Sequence, residues 1–81
     1  MDERLVELLA LPADWDSYGA QPISPAVAAY VQACLDALAR LGTDVRGLAL
    51  VPEGNGGIGI ILGFDGPGGL ELSFSVGVDD V

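Results

Sequence analysis

The hydrophobic repeat changes period at Gly47, and this switch constrains the possible folds more than any other feature of the chain. Before it, apolar residues recur every three or four positions; after it, they alternate. The clearest helical run opens at Ser24-Pro25, where the Ser oxygen can accept a backbone N–H and Pro at the first position sacrifices no hydrogen bond. Val27, Val31, Cys34, Leu35, Leu38 and Leu41 then keep to one face, and Gly42 supplies the left-handed residue that ends the helix. The alanines between them raise helix propensity and let neighbouring elements come close. A shorter helix is expected over Asp2–Leu11. Leu5, Leu8 and Leu9 form its apolar stripe, Asp2 and Glu3 suit its positive end, and Pro12 stops it.

Beyond Gly47 the chain is Gly-rich, β-branched and almost free of charge. Leu48–Val51 reads as a first strand. Ile58, Ile60, Leu62 and Phe64 alternate with Gly59, Ile61 and Gly63, and Leu70, Leu72, Phe74 and Val76 alternate with Glu71, Ser73 and Ser75, the pattern of half-buried strands. The turns are Glu53-Gly54-Asn55-Gly56-Gly57 and Asp65-Gly66-Pro67-Gly68-Gly69. Short loops between consecutive strands make an antiparallel meander. The expected fold is a single α+β domain over residues 1–81. Two N-terminal helices precede a three-stranded antiparallel β-meander, and the long helix packs on the sheet face that carries Ile58, Ile60, Leu62, Phe64, Leu70, Leu72, Phe74 and Val76.

Composition narrows the function classes. With 51% hydrophobic and 19% charged residues the chain has the means to fold, although at this length a core buries only about 60% of the unfolded surface. One cysteine and no histidine preclude an internal disulfide and leave zinc without a ligand set, and no cofactor is expected. The start Met1-Asp2-Glu3-Arg4 is acidic where a secretory signal is basic, and no apolar run approaches the ~20 residues that cross a bilayer, so the expectation is a cytoplasmic protein with no membrane partner. Twelve acids against three arginines give a net charge of −9. Direct nucleic-acid binding draws its affinity from cations on phosphate and is therefore not expected; a basic protein partner is.

Between the helices lies Trp15-Asp16-Ser17-Tyr18-Gly19-Ala20-Gln21-Pro22-Ile23-Ser24-Pro25, dense in special side chains. Trp15 and Tyr18 are expected to fill the gap between the two helices, because large aromatics dominate small cores. Asp14, Asp16 and Gly19 copy the first half of a calcium loop, but Pro25 stands where the bidentate Glu belongs. Gly54-Asn55-Gly56-Gly57-Ile58-Gly59 has the letters of a dinucleotide loop, yet a strand and not a helix follows it, so the glycines read as a hairpin turn. Asp14 and Asp16 lack the surroundings that would separate two carboxyl pKa values for catalysis, and no enzyme is expected. The second sheet face, Gly59, Ile61, Gly63, Ser73 and Ser75, has two open readings: a solvated Gly/Ser face, or an interface through which a homodimer forms. Cys34 reads as a small buried hydrophobe.

The segment Trp15–Ser24 resembles a group of short, uncharacterised bacterial and phage-associated proteins carrying W-D-x-Y-G-A-x-P-I-S before a helix and a Gly-rich, strand-forming tail. In size, acidity and lack of catalytic groups the chain also looks like the small inhibitors of mobile elements, anti-CRISPR proteins among them. The likeness implies an acidic, non-enzymatic inhibitor of a basic, nucleic-acid-handling partner. The alternatives are an antitoxin or immunity protein that holds a toxin, or a structural homodimer. The expected partner contacts are Asp14, Trp15, Asp16, Tyr18, Asp36, Asp44, Ile61, Asp79 and Asp80, with Glu53, Asp65 and Glu71 as further acids.

Overall fold

The computed structural model describes residues 1–63 and 71–81 and is mixed α+β, with two helices and a three-stranded antiparallel sheet. Helix α1 spans Glu3–Leu9 and α2 spans Pro25–Arg40; strands β1, β2 and β3 span Ala49–Pro52, Ile58–Gly63 and Glu71–Val76. Short 3₁₀ turns at Val45–Gly47 and Val78–Asp80 precede β1 and follow β3. Phe64, the expected turn Asp65–Gly69, and Leu70 lie outside the described residues.

Helix α1 is shorter than the Asp2–Leu11 run because its ends tighten. Asp2 caps it, its carboxylate accepting the Arg4 N–H at 2.9 Å, and by Leu11 the N–H reaches only the Leu8 carbonyl before Pro12. In α2 the Ser24 oxygen faces the Val27 N–H at 3.5 Å and Pro25 opens the first turn. The far end closes as a Schellman motif: Gly42 has φ +88°, and the Thr43 N–H returns to the Leu38 carbonyl at 3.0 Å.

The sheet order is β1-β2-β3, with Leu50 and Phe74 flanking Ile60, Pro52 and Val76 flanking Ile58, and Leu72 opposite Leu62. Val27, Ala28, Val31 and Leu35 of α2, Leu5 and Leu8 of α1, Ile23, Leu48, Ile58, Ile60 and Val76 form one buried cluster. Burial fades along the sheet. Ile58 is fully buried, whereas Leu72 and Phe74 on the same face are 50% and 60% exposed. The buried stripe of α2 is also turned from the expected one: Ala28 enters it, Cys34 is half-buried and Leu41 is 81% exposed. Helix α1 explains the turn, since it sits on the Gln32 side of α2, where the Asp2 N–H donates to Gln32 Oε1 at 2.6 Å, and leaves the Cys34–Leu41 side uncovered.

Two contacts fix the remaining geometry. The Arg4 guanidinium pairs with the Asp2 carboxylate at 2.9 Å and donates to the Val45 and Leu48 carbonyls, tying α1 to the segment that enters β1. At the β1–β2 turn, Gly56 has φ +87°, and a Cβ on Gly57 would stand 2.6 Å from the Val76 carbonyl oxygen. No side chain fits there.

Gly57→Ala is expected to destabilise the fold by about 2–3 kcal/mol, because the obstacle is backbone and cannot swing away. Gly63→Ala, which meets open space, should stay within about 0.5 kcal/mol. Urea denaturation of the two variants checks the contrast. The Arg4 side chain, then the Arg4 N–H, hold the Asp2 carboxyl down from 3.8 to about 2. A carboxyl lowered in the folded state contributes stability that is complete above its unfolded pKa and is lost as pH falls from about 4 to about 2. Asp2→Asn should remove about 1 kcal/mol of that acid dependence, a figure reduced for the pair's partial exposure and read from denaturation midpoints against pH.

Candidate partner-binding surfaces

The loop between the helices is built by its own carboxylates. Asp14 and Ser17 hold φ values of 61° and 64°, unusual for residues with a side chain, and Gly19 follows at 82°. Hydrogen bonds hold this course. Asp14 Oδ1 accepts the Gly19 N–H at 2.6 Å, and Asp16 Oδ1 accepts those of Tyr18 and Ala20 at 2.8 and 3.1 Å. The Asp14 N–H closes the turn on the Ala20 carbonyl at 2.7 Å. Ala20 and Ile23 are buried, and the N–H groups of Gln21 and Ser24 donate to the carbonyls of Gly54 and Gly56 at 2.8 and 3.0 Å, which fastens the loop to the β1–β2 turn.

Asp14, Trp15, Asp16 and Tyr18 are therefore brought together, in roles that differ from those expected. Neither aromatic fills the helix–helix gap. Trp15 is half-buried outside the core cluster, with its Nε1–H donating to the Gln21 carbonyl at 3.0 Å, and Tyr18 is 92% exposed. Leu5, Leu8 and Ile23 supply the apolar volume there, so no aromatic is needed. The two aspartates act as fixed acceptors for loop N–H groups.

The other expected contacts stay on separate elements. Asp36 is exposed on α2 and accepts from Gln32 Nε2 at 2.9 Å; Asp44 caps the 3₁₀ turn at Val45. Asp79 and Asp80 are exposed after β3, with Asp80 Oδ2 accepting the Gly77 N–H at 2.7 Å. Ile61 is half-buried on the second sheet face, part of which is covered by the chain's own side chains. A Cβ on Gly59 would lie 2.8 Å from Val51 Cγ2, so Val51 already covers that glycine, and the Ser75 hydroxyl donates to Glu53 at 2.9 Å.

One surface was not anticipated. An open apolar groove of about 530 Å³ runs between α2 and the sheet, lined by Cys34, Ala37 and Leu38 on one side and by Ile60, Leu62 and Phe74 on the other. The signal for it lay in Tyr30 and Ala37, which widen at helical spacing the apolar face already marked by Cys34 and Leu41. Two of the three arginines, Arg4 and Arg46, line a different groove with Met1, Asp2 and Glu3. Among the described residues no helix is long and apolar enough to cross a membrane. Comparison with protein-family models, curated proteins and solved structures gives no match.

The loop geometry separates anchor from scaffold. Asp16→Ala frees two N–H groups from a charged acceptor and should cost about 2 kcal/mol, whereas Tyr18→Ala should leave the denaturation midpoint unchanged. A midpoint drop with Tyr18→Ala would place that ring in the structural set.

Proposed function

We propose that the chain is a non-enzymatic binding protein that docks on a basic, nucleic-acid-handling protein and blocks it, in the manner of the anti-CRISPR-type inhibitors it resembles in composition. The observation that carries this reading is uncompensated charge. Among the described residues the only ion pair is Arg4 with Asp2, so most of the net −9 stands without a cation beside it. Glu3, Glu7, Asp36, Asp44, Asp79 and Asp80 are all exposed. Such a field accelerates encounter with a cationic surface and repels nucleic acid itself. Tyr18, almost fully exposed on a loop braced by three hydrogen bonds to the Asp14 and Asp16 carboxylates, supplies an aromatic anchor of the kind that concentrates binding energy at interfaces. The scaffold behind it takes α2 as laid across the Ile58 end of the sheet, with the Trp15 loop at the helix's N-terminal end.

The experiment is capture from a cell lysate on the immobilised chain, with elution by salt and by double-stranded DNA. Basic nucleic-acid-binding proteins should be retained at ~0.15 M salt, where the Debye length is about 8 Å, and released by ~0.5 M or by competing DNA. Asp36→Lys/Asp79→Lys should weaken the capture about tenfold while leaving the fold intact, since both carboxylates are exposed. Asp14 and Asp16 are unsuitable for reversal because they hold the loop. Retention of neutral or acidic proteins, indifferent to salt and to the double substitution, would overturn the reading.

A further inference from the structure

The described residues that line the groove between α2 and the sheet are all uncharged, on a chain with twelve acids. Tyr30, Cys34, Ala37 and Leu41 follow one another at intervals of four, three and four, which places them on a single stripe of α2. Tyr30 is 48% exposed and Leu41 81%. Across the groove stands Phe74, 60% exposed, and two residues before it on β3 Leu72 is 50% exposed. Asp36 points elsewhere, about a third of a turn around the helix and bonded to Gln32. The four large side chains together leave on the order of 400 Å² of surface in water, at the scale of the largest patch on a typical monomer and about half of what one partner gives to a standard interface. The smaller residues between them add to that area.

We infer that this face is a two-fold interface between two copies of the chain. The stripe is self-complementary. A two-fold axis at the level of Leu35 and Asp36 sets Cys34 of one copy beside Ala37 of the other, and Tyr30 beside Leu41. Small residues meet at the crossing point, where helix axes need to approach to 8–10 Å, and large ones flank it on both sides. A helix seated on this stripe also covers Phe74, the far wall of the groove. Charge argues for a second copy over a basic protein at this place, because the described residues that line the groove offer no carboxylate for a cation to find. It also predicts the salt response. Two chains of −9 repel through their other surfaces, so screening strengthens the dimer, whereas it weakens any contact with a basic partner. The inference does not rest on the inhibitor reading, and the opposite salt responses keep the two apart.

Sedimentation of the full chain from low to high micromolar concentration is the test. The expected result is a species of twice the 8.3 kDa chain mass, with a dissociation constant that tightens between ~0.05 M and ~0.5 M salt. Leu41→Glu and Phe74→Glu, both at exposed positions, should each weaken the dimer at least about tenfold with unchanged helix content, while Val6→Glu on α1, also exposed, should not. Ala37→Cys supplies the register: with oxidised glutathione it should give a chain-to-chain disulfide with Cys34, and Ala39→Cys, exposed on the opposite side of α2, should not. A monomer at every concentration and salt, a dimer indifferent to both glutamate variants, or cross-linking that is equal at positions 39 and 37 would each overturn the proposal.

Discussion

The close approach of two backbones, Gln21–Ser24 against Gly54–Gly57, is the contact on which the rest of the structure depends. Two main-chain hydrogen bonds hold it, Gln21 N–H to Gly54 and Ser24 N–H to Gly56, and a Cβ on Gly56 would stand 3.1 Å from the Pro22 carbonyl. The same turn accommodates β3, because Gly57 lies against the Val76 carbonyl. The glycines therefore serve three elements at once. They let the interhelical loop, the start of β2 and the end of β3 converge, which brings Ile23, Ile58 and Val76 into the buried cluster. From Ser24 the direction of α2 follows.

Convergence at one end of the sheet leaves the other end short of material. Helix α1 contributes only Leu5 and Leu8 in full, and it lies on the Gln32 side of α2, where the Asp2 cap and the Arg4 bonds to Val45 and Leu48 hold it. Nothing of comparable size among the described residues covers the Cys34 side. Core burial accordingly falls from Ile58 through Ile60 to Leu62, and the opposing residues run from buried Val76 to exposed Phe74 and Leu72. A chain of this length has few apolar side chains to spare, so a core closed at one end is open at the other. The uncharged groove and the stability of the fold are two consequences of one allocation.

What the sequence makes legible is set by the kind of force involved. Side-chain periodicity reports burial, so α2, the three strands and their meander order can be read from spacing, with β1 displaced by a residue. Periodicity names a helix's apolar face but not which half of it a neighbour covers; Val27, Val31, Cys34, Leu35, Leu38 and Leu41 look equivalent until α1 takes one flank, after which Leu35 is buried and Leu41 is not. The Trp15 loop is harder still, because main-chain hydrogen bonds decide it. Asp14 and Asp16 read as available carboxylates in the sequence, and only the positive φ angles and the three N–H groups they accept reveal them as scaffold. Trp15, for the same reason, satisfies its indole on Gln21 at the edge of the loop and leaves the core to aliphatic residues.

Acidity, finally, is not the same as an acidic binding surface. Several carboxylates have internal occupations: Asp2 holds Arg4 and caps α1, Asp14 and Asp16 hold the loop, Asp44 and Asp80 hold 3₁₀ turns, and Glu53 accepts from Ser75. Each keeps its charge and contributes to the long-range field, which depends on number and sign. Short-range recognition depends instead on side chains free to reorient towards a partner, and there Glu3, Glu7 and Asp79 differ from Asp14 and Asp16. On the proposed reading, the field would steer a cationic protein from any side, and the exposed Tyr18 with the acids that carry no internal bond would choose where it settles. An uncharged face within that field is the surface least able to hold a cationic partner, and the surface on which two such chains can meet with the least repulsion.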